Sequence, residues 1–490
     1  MNLSKSKYCN GIQCKKILWL DKYKSEEREE DNNSVLEQGN LVHEVARYMY
    51  PNHITIPFNL DLSEMIKDTY SSLESYKDIV ICEASFKYMN NFCSVDILKK
   101  DNDDYEMYEV KSSTGVRDVY INDISYQYYV LNNLGFKIKK CYLVYLNNKY
   151  VRCDHIDLNE LFICEDVTDK IKSMQDEVKN NLDDINKYMD SNVNEPIDDI
   201  DIKCFKPYPC PYFKYCKRNL PDKNVFDIAG MHKDSMIKLY KNGIYKYDDL
   251  LNSDILEFYK MQILYDMNDM GDYIDKEKIK DFLDTLSYPL YYLDFETYQM
   301  PIPLYDNVSP YEQVPFQYSL HYLLKEEGKL YHSEFLANSG SDPRRCLAER
   351  LVKDIPMDVC TIAYNMKFEK SVIKRLAMLY PDLSNHLMNI HDNMKDLMIP
   401  FKKRYYYNKK MEGSYSIKYV LPALFPNDPE LDYHNLDLIH NGSEAMNSFR
   451  DMEGMDKETL EYTRERLLEY CKLDTYAMVK IHKKLIDIVR

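Results

Sequence analysis

Four widely spaced cysteines place the strongest constraint on how this chain can fold. Cys14 lies near the N-terminus, and Cys204, Cys210 and Cys216 follow about 190 residues later in KCFKPYPCPYFKYCKR. Thiolates that share one metal centre must meet in space, however far apart they lie along the chain. If these four do so, they close residues 1–218 into one domain whose two ends are joined.

The rest of the composition agrees with reduced, metal-binding thiols. The chain has 13 cysteines, and its N-terminus, MNLSKSKYCNGIQ, lacks the apolar core of a signal peptide. No stretch approaches the roughly 18 consecutive apolar residues that a membrane helix needs. We therefore expect a cytoplasmic protein that has no disulfide framework and does not bind membranes.

Length and charge limit the architecture and the partners. A chain of 490 residues exceeds what one hydrophobic core usually supports, so two or three domains are expected. Its 45% apolar and 30% charged residues are typical of a globular protein. The net charge of −17 disfavours phosphate binding, but divalent ions held by carboxylates can reverse the local field.

Hydrophobic patterns divide the chain into three parts. In residues 1–218, the strands FCSVDILKK and YEMYEVKSS are joined by the turn DNDD and followed by a helix and the strand KKCYLVYLN. Residues 219–284 carry helical patterns and are predicted to form a helical linker. Residues 285–490 alternate strands and helices from PLYYLDFET onward. The predicted fold class is a multidomain α/β protein.

Three polar residues on two neighbouring strands of the first part form a candidate active site. Asp96 lies on one strand, and Glu109 and Lys111 lie on the next. Residues two apart on a strand point to the same face, so Glu109 and Lys111 are expected to lie together. Phosphodiester hydrolysis needs divalent ions, which such carboxylates hold through oxygen. Lys111 would then position the attacking water or neutralise developing charge.

Two predicted helices add to this set. His43, in GNLVHEVAR, could supply a nitrogen ligand, which would favour manganese. Gln127 and Tyr128, in the helix after the second strand, are candidates for contact with the substrate or with Lys111. With these residues, the segment 1–218 resembles the PD-(D/E)xK nuclease superfamily. The flanking cysteines narrow the resemblance to RecB-like iron–sulfur nucleases, which include the exonuclease of CRISPR adaptation and the AddB type.

The resemblance implies a restriction-endonuclease-like domain with assigned roles. His43, Asp96 and Glu109 would be metal ligands for magnesium or manganese, and Lys111 would be catalytic. The resemblance also implies a [4Fe-4S] cluster as a staple, bound by Cys14, Cys204, Cys210 and Cys216. Zinc binding and simple burial are the alternatives for these cysteines, and Cys9 is an alternative to Cys14.

A second set of carboxylates lies in residues 285–490. Asp294 and Glu296 close the first strand, and a spacing of two places both on one strand face. Glu369 follows another strand, at the start of a helix. Tyr470 and Asp474 lie one helical turn apart in the C-terminal helix. Four carboxylates from three elements suit a two-metal site, in which Tyr470 could orient the attacking water.

This second set resembles the DnaQ-like 3′→5′ exonucleases of the ribonuclease H-like fold, in the tyrosine-bearing DEDD subgroup. The resemblance assigns the four acidic positions, all metal-binding and catalytic, to Asp294, Glu296, Glu369 and Asp474, with Tyr470 as the tyrosine. Glu369 stands where aspartate is usual, and Asp396 is a nearby alternative carboxylate. The basic, tyrosine-rich tract KKRYYYNKK at 402–410 could contact nucleic acid or form a solvated loop.

The two resemblances together predict an enzyme with two nuclease sites. The pair of domains also resembles a bacterial family whose function is largely unknown. We expect metal-dependent cleavage of DNA ends or single strands, in repair, recombination or mobile-element defence. The alternatives are a nucleic-acid-binding protein with one inactive site, an RNA-processing 3′→5′ exonuclease, and a redox or metal sensor.

Overall fold

The computed structural model describes residues 2–29, 33–268 and 270–490, with the side chains of 33–37 excepted. It is a mixed α/β protein that divides into two compact units, as the sequence predicted at this coarse level. Unit 1 comprises Met1–Pro221 and Met300–Tyr311, and unit 2 comprises Asp222–Gln299 and Glu312–Arg490. Within the described ranges, no helix combines the length and the apolar character that a membrane span requires.

Unit 1 is built on a six-stranded mixed sheet whose strands follow one another in chain order. The β1–β2 and β4–β5 pairs are parallel, and the other pairs are antiparallel. The strands are β1 (Ile54–Thr55), β2 (Asp78–Tyr88), β3 (Asn91–Asp101), β4 (Asp104–Lys111), β5 (Lys137–Leu146) and β6 (Phe162–Asp166). The helices are α1 (Lys5–Gln13), α2 (Lys15–Tyr23), α3 (Asn33–Arg47), α4 (Leu62–Ser75), α5 (Asp118–Asn133), α6 (Leu158–Leu161), α7 (Thr168–Ser173), α8 (Gln175–Ser191) and α9 (Phe213–Cys216).

The alternation of side chains along the unit 1 strands separates its core from its polar residues. Ile97 and Val110 join a buried apolar cluster with Val42 of α3. Asp96 and Glu109 precede these residues by one position, so they point to the opposite face. Helix α5 connects the parallel strands β4 and β5, as parallel pairing requires, and it brings polar side chains to that face.

Unit 2 is built on a five-stranded sheet with the order β10-β9-β8-β11-β12, supplemented by the pair β13-β7. The β10–β9 and β9–β8 pairs are antiparallel, and β8–β11 and β11–β12 are parallel. The strands are β7 (Tyr273–Ile274), β8 (Leu290–Tyr298), β9 (Val314–Leu323), β10 (Leu330–Leu336), β11 (Cys360–Ala363), β12 (Met394–Asp396) and β13 (Tyr406–Tyr407). The helices are α10 (Lys233–Lys241), α11 (Tyr247–Leu251), α12 (Glu257–Met267), α13 (Lys276–Leu283), α14 (Arg344–Asp354), α15 (Lys367–Leu379), α16 (Ser384–Asp392), α17 (Ile399–Lys402), α18 (Ile417–Leu424), α19 (Gly442–Asp451) and α20 (Lys457–Val489).

Strand β8 is buried on both faces, which explains its almost continuous apolar sequence. Leu290 and Tyr292 pack in one core cluster with residues of α20, whereas Leu293 packs in a second cluster with residues of α14 and α15. Asp294 and Glu296 share the parity of Tyr292. The strand therefore directs both carboxylates to the face that α20 covers.

The predicted linker 219–284 does not form a separate element in the structure. From Asp222 onward it belongs to unit 2. Ile279 and Phe282 of α13 are buried in the same cluster as residues of β8 and α20, and β7 pairs with β13. The helical patterns were therefore packing faces of unit 2, and the boundary of unit 1 lies near Pro221.

Two candidate active sites

The strands of unit 1 place Asp96 and Glu109 side by side on one face. Asp96 is 4% exposed and Glu109 is 1% exposed. The backbone N–H of Val110 donates to Asp96 Oδ2 at 2.8 Å, which fixes one carboxylate oxygen against β4. The other oxygen, Oδ1, remains directed into the site. The structure thus brings together the two carboxylates that the sequence pattern singled out.

Two lysines bind these carboxylates. Lys111 Nζ lies 2.7 Å from Glu109 Oε1 and 2.5 Å from Asp123 Oδ2. Lys5 Nζ lies 3.0 Å from the same Glu109 oxygen and 3.2 Å from Asp96 Oδ1. Burial alone would raise the pKa of Glu109, but the charges of Lys111 and Lys5 outweigh it and hold that pKa below its usual range. Glu109 is therefore a carboxylate with its charge already compensated.

Gln127 and Asp123, one turn apart on α5, complete this network. Gln127 Nε2 donates to Glu109 Oε2 at 2.6 Å and to Asp123 Oδ1 at 3.2 Å. Burial and then the charge of Glu109 raise the pKa of Asp123. Tyr128 is buried on the same helix, and the described residues give it no hydrogen bond to the carboxylates. The structure therefore brings Gln127 into contact with Glu109 and Asp123, whereas contact of Tyr128 with a substrate stays a prediction.

His43 approaches Asp96 from α3, together with a residue that the sequence analysis missed. Ligand atoms of His43, Glu83 and Asp96 all lie within 4.8 Å of one another. Glu83 faces Asp96 at a break in the β2–β3 ladder, where its φ is +58°. Such positive φ values are rare for residues other than glycine and mark local strain that surrounding contacts hold in place. These three residues can hold a divalent ion.

A partly open groove lies next to Glu83. Its walls are mainly apolar, and Phe58, which lines it, is 79% exposed. Arg47 lines the groove as well and donates to Glu83 Oε1 at 2.7 Å. The groove is lined by Arg47, Thr55, Ile56, Pro57, Phe58, Leu62, Met65, Glu83, Phe92 and Ser94.

The four predicted cluster cysteines converge on one small cavity of unit 1. Cys14 lies between α1 and α2, Cys204 and Cys210 lie in the turns that precede α9, and Cys216 ends α9. All four line the cavity. Burial raises the pKa of each thiol, and it raises that of Cys210 to about 12. Neutral thiols at such a position need a cation nearby to ionise, as a metal centre provides.

The alternative ligand Cys9 lies elsewhere. Burial raises its pKa most, followed by the charge of Asp123, while Lys111 opposes this shift. Cys9 thus neighbours the Asp96–Glu109 network and does not line the cysteine cavity. The structure therefore groups Cys14, and not Cys9, with the C-terminal triplet.

The carboxylates of unit 2 meet between β8, α15 and α20. Ligand atoms of Asp294, Glu296 and Cys471 lie within 4.8 Å of one another. Burial raises the pKa of Asp294 well above its usual range, and the charges of Asp474 and Glu296 raise it further. The pKa of Glu296 is raised in the same way by burial and by Asp474. The structure thus brings together the acidic residues that the sequence grouped.

The pKa values of the two carboxyl groups on helices, Glu369 and Asp474, are also raised. Burial raises the pKa of Glu369 to about 8, with contributions from Asp396 and Asp474. Glu369 Oε2 has no hydrogen-bond partner among the described residues. Burial raises the pKa of Asp474 to about 6, although Tyr433 and Lys418 oppose this shift. Carboxyl groups of this kind favour cations that would compensate their charge.

Tyr470 has a partner that the sequence analysis missed. Tyr433, from the segment before α19, donates to Asp474 Oδ1 at 2.6 Å. Its ring centroid lies 6.1 Å from that of Tyr470. Burial and then the charge of Asp474 raise the pKa of Tyr470, so its hydroxyl stays protonated and can donate a hydrogen bond. Two tyrosines therefore border this carboxylate cluster.

Asp396 and the tract 402–410, which were also predicted to be functional, have structural roles. Asp396 Oδ1 accepts hydrogen bonds from the backbone N–H groups of Asn365 and Met398, both at 3.0 Å. Asp396 thus stabilises two chain turns beside Glu369. In the tract 402–410, Tyr406 and Tyr407 are 1% and 0% exposed, and both pack in the core cluster of unit 2 that contains residues of β8 and α20. The centre of this tract is therefore core, and neither a solvated loop nor a nucleic-acid surface.

Comparison with known proteins gives two matches. Residues 291–416 match the family described as Domain of unknown function (DUF2779), and this segment contains Asp294, Glu296 and Glu369. The chain is also similar to the protein of Ureaplasma parvum serovar 3 named Uncharacterized protein UU173, with 24% identity over 301 residues. That match covers 55% of this chain and 42% of the relative's length. No solved structure matches significantly.

Proposed function

We propose that the protein is a metal-dependent nuclease with one phosphodiester-cleaving site in each unit. The observation that carries the proposal is the unit 2 cluster, in which burial raises the pKa of four converging carboxyl groups. Stability alone disfavours such a cluster, because buried like charges repel each other. Divalent ions would compensate these charges and activate water at the same place.

The strand arrangements support the finer fold assignment within this proposal. In unit 2, three antiparallel strands continue into two parallel ones, and the central strand β8 carries two of the carboxylates. This order agrees with a ribonuclease H-like, DnaQ-type unit. In unit 1, an antiparallel β2–β3–β4 meander continues through α5 to the parallel strand β5. This order agrees with a restriction-endonuclease-like unit.

Each site offers a donor set suited to magnesium or manganese. His43, Glu83 and Asp96 would hold an ion in unit 1, and Lys111 would stabilise negative charge beside it. Asp294, Glu296, Glu369 and Asp474 would hold ions in unit 2, where Tyr470 and Tyr433 can orient water. Such ions supply Lewis acidity and a more acidic bound water.

The cysteine cavity and the groove extend the proposal. Cys14, Cys204, Cys210 and Cys216 offer four thiols at one place, as a [4Fe-4S] cluster needs. The groove next to Glu83 offers Phe58 for stacking with an unpaired base and Arg47 for phosphate contact. Bases within a duplex are not free to enter such a groove. We therefore propose single strands or strand ends as the substrate of unit 1, with DNA as the polymer.

The test uses the full chain, purified anaerobically, and strands labelled at either end. Asp96→Asn and Asp294→Asn should each remove one cleavage pattern, and the double variant should lose at least about 1,000-fold in rate, as expected for metal-ligand carboxylates. Asp118→Asn, at a position where the side chain is 98% exposed, is the control and should cleave normally. Cleavage that persists in the double variant would rule out the proposal. Matched RNA strands decide between a DNA nuclease and an RNA-processing exonuclease.

A further inference from the structure

A partly open cavity of about 740 Å³ lies in unit 2, apart from its carboxylates. It is bordered by α20, by the turn that joins β9 to β10, and by the residues that precede β8 and follow α18. Asp294, Glu296, Glu369 and Asp474 are not among the residues that line it. Its volume is within the range of cavities that bind small molecules.

Helix α20 separates this cavity from the carboxylates. Tyr476 lines the cavity and follows Asp474 by two positions, which corresponds to a rotation of about 200° around the helix axis. Val479 and Lys483 follow Tyr476 at helical spacing and line the cavity from the same side. His482, which lines it too, is eight residues beyond Asp474, or about 12 Å along the axis. The cavity is therefore a separate place in unit 2.

The imidazole of His482 brings an unpaired polar atom to the cavity. His482 is 4% exposed, and its Nδ1 lies 2.6 Å from the hydroxyl of Tyr292. Within the described ranges, no residue forms a hydrogen bond with its Nε2. Because the Tyr292 hydroxyl can donate or accept, Nε2 of the neutral ring can also do either. A buried polar atom without a partner is unfavourable, so a ligand that bonds Nε2 would gain affinity.

Three aromatic side chains give the cavity surfaces for a flat ring. Tyr288, Phe425 and Tyr476 line it, and all three are partly exposed. Lys480 Nζ lies 5.2 Å from the centroid of the Tyr476 ring and 3.7 Å from Asp428 Oδ2, so Tyr476 packs against a held cation. Aromatic rings bind flat heterocycles by stacking, whatever their exact substitution.

The rim of the cavity carries two lysines that are free to bind an anion. Lys483 is exposed and Lys484 is half-buried, and neither forms an ion pair with the residues that the structure describes. Arg490, in contrast, binds two glutamates in the turn between β9 and β10, the nearer at 2.7 Å. Asp487 is the remaining acidic residue of the lining and is exposed. The two lysines thus provide positive charge at one side of the cavity.

We propose that this cavity binds a nucleoside monophosphate, with the base against the aromatic side chains and His482 Nε2, and the phosphate at Lys483 and Lys484. A base offers hydrogen-bond donors and acceptors along its edge, so it can pair with Nε2 in either tautomer of His482. A phosphate group forms charge-assisted hydrogen bonds with lysine. The choice of ligand rests on the proposed function, because cleavage at strand ends releases nucleoside monophosphates.

Binding of deoxyadenosine monophosphate to the full chain tests the inference. Isothermal titration calorimetry in excess chelator keeps divalent ions from binding the phosphate at the carboxylate clusters. We expect one saturable site with a Kd below about 1 mM. Deoxyadenosine and inorganic phosphate each lack half of the ligand, so each should bind at least about tenfold more weakly. Hydrogen exchange should slow in the C-terminal half of α20 and in the turn between β9 and β10.

Variants at the cavity assign the binding to it. Val479→Trp places a large side chain in the cavity and should weaken binding at least about tenfold. Lys483→Glu and Lys484→Glu, made separately, reverse a charge near the surface and should also weaken binding, even if the tryptophan variant does not fold. Lys457→Glu reverses a charge in the first turn of the same helix, at a side chain that is 88% exposed, and should bind like the parent.

Three results would overturn the inference. The parent does not bind deoxyadenosine monophosphate, the lysine variants bind it as the parent does, or one half of the ligand binds as tightly as the whole. Slowed exchange around Phe58 of unit 1, without any change in α20, would likewise place the ligand elsewhere.

The titration and the cleavage assay can fail independently. If the nucleotide binds at the cavity but no strand is cleaved, the proposed function fails and the ligand site stands. If strands are cleaved but the nucleotide does not bind, the nuclease stands and the ligand site fails. Binding is measured without metal ions or strands, so neither result depends on the other.

Discussion

The buried carboxylates of the two units have opposite electrostatic environments. In unit 1, Lys5 and Lys111 contact Glu109 directly, and their charges hold its pKa below the usual range against the effect of burial. In unit 2, Asp294 and Glu296 face other carboxylates, and burial and mutual repulsion raise their pKa values. The first cluster has two lysines in contact with its carboxylates, whereas in the second Lys418 only partly offsets the effects of burial and repulsion.

This difference predicts how each site couples metal binding to protons. A carboxyl group with a raised pKa must release its proton before it can hold a cation, so unit 2 should release protons when it binds metal. Glu109 is already ionised, and its protein donors compete with metal instead. Under the proposed function, metal binding should therefore release protons in unit 2 and displace protein donors in unit 1, although both units present acidic residues on a central strand.

The largest effect should follow from removing a cluster cysteine. Cys204→Ala deletes one of the four thiols that line the cysteine cavity and that would bind the proposed cluster. We expect loss of iron–sulfur absorption and of cleavage at the Asp96 site, because α1, which carries Lys5, ends at Cys14. Cleavage at the Asp294 site should remain. Cys153→Ala, at an exposed cysteine of unit 1, is the control and should preserve both activities.

Equal loss at both sites would contradict this asymmetry. So would a colourless, iron-free chain with full activity, because the cysteines would then be structural or bind zinc. Iron analysis and absorption of the anaerobic protein distinguish these results from simple unfolding, provided that the unit 2 activity is measured in the same sample.

Opposite stability changes should follow from neutralising one carboxylate in each unit. Glu109→Gln leaves Lys5 and Lys111 facing an uncharged amide, so we expect a loss of about 2–4 kcal/mol in the unfolding free energy of unit 1. Glu369→Gln removes a buried carboxyl group whose charged form is disfavoured by burial and by Asp396 and Asp474, so metal-free unit 2 should gain about 1 kcal/mol at pH 8.5. Hydrogen exchange of β4 and α15 peptides in chelator measures each unit separately.

Two results would contradict the electrostatic contrast between the units on which this prediction rests. If Glu109→Gln slows exchange in β4, the lysines do not stabilise the carboxylate. If Glu369→Gln accelerates exchange in α15, the unit 2 carboxylates are not under electrostatic stress. Asp281→Asn changes an exposed aspartate of α13 in unit 2 and serves as the reference for a surface carboxylate that contributes little to stability.

Sequence patterns predicted the coarse multidomain α/β fold and grouped the residues whose neighbours are local. Asp294 and Glu296 share a strand face because they are two apart, and Tyr470 and Asp474 share a helix face because they are four apart. Such periodicities are properties of one element and can be read without tertiary contacts. The same holds for Glu109 and Lys111 on β4.

Residues that depend on distant contacts could not be read in this way. Lys5 lies 91 and 104 positions from the carboxylates that it contacts. Glu83 enters its site only because the β2–β3 ladder breaks and φ becomes positive, and no periodicity signals this. Tyr406 and Tyr407 are buried because they pack in a core cluster with residues as distant along the chain as Tyr265 and Leu485. Asp123 had a usable signal, since it precedes Gln127 by one helical turn.

A further contrast with the lysines of unit 1 concerns a buried base of unit 2, whose expected effect is smaller than that of Glu109→Gln. His482 is 4% exposed, burial lowers its pKa to about 4, and its Nδ1 lies 2.6 Å from the hydroxyl of Tyr292. At pH values between its ordinary pKa of about 6.5 and this lowered pKa, the imidazole of His482 is protonated in the unfolded chain but not in the folded unit. Its stabilising contribution is therefore complete above about pH 6.5 and declines as the pH falls toward 4.

His482→Gln should remove this pH dependence while retaining an acceptor for Tyr292. Between pH 7 and pH 5, the unfolding free energy of unit 2 should fall in the parent. In the variant this fall should be smaller by about 1–2 kcal/mol. Urea unfolding followed by exchange of α20 peptides measures the difference. His434→Gln, at a histidine whose side chain is 94% exposed, should behave like the parent. If His482→Gln keeps the parent's pH dependence, the buried bases of unit 2 are not neutral, and the contrast between the units is confined to their acids.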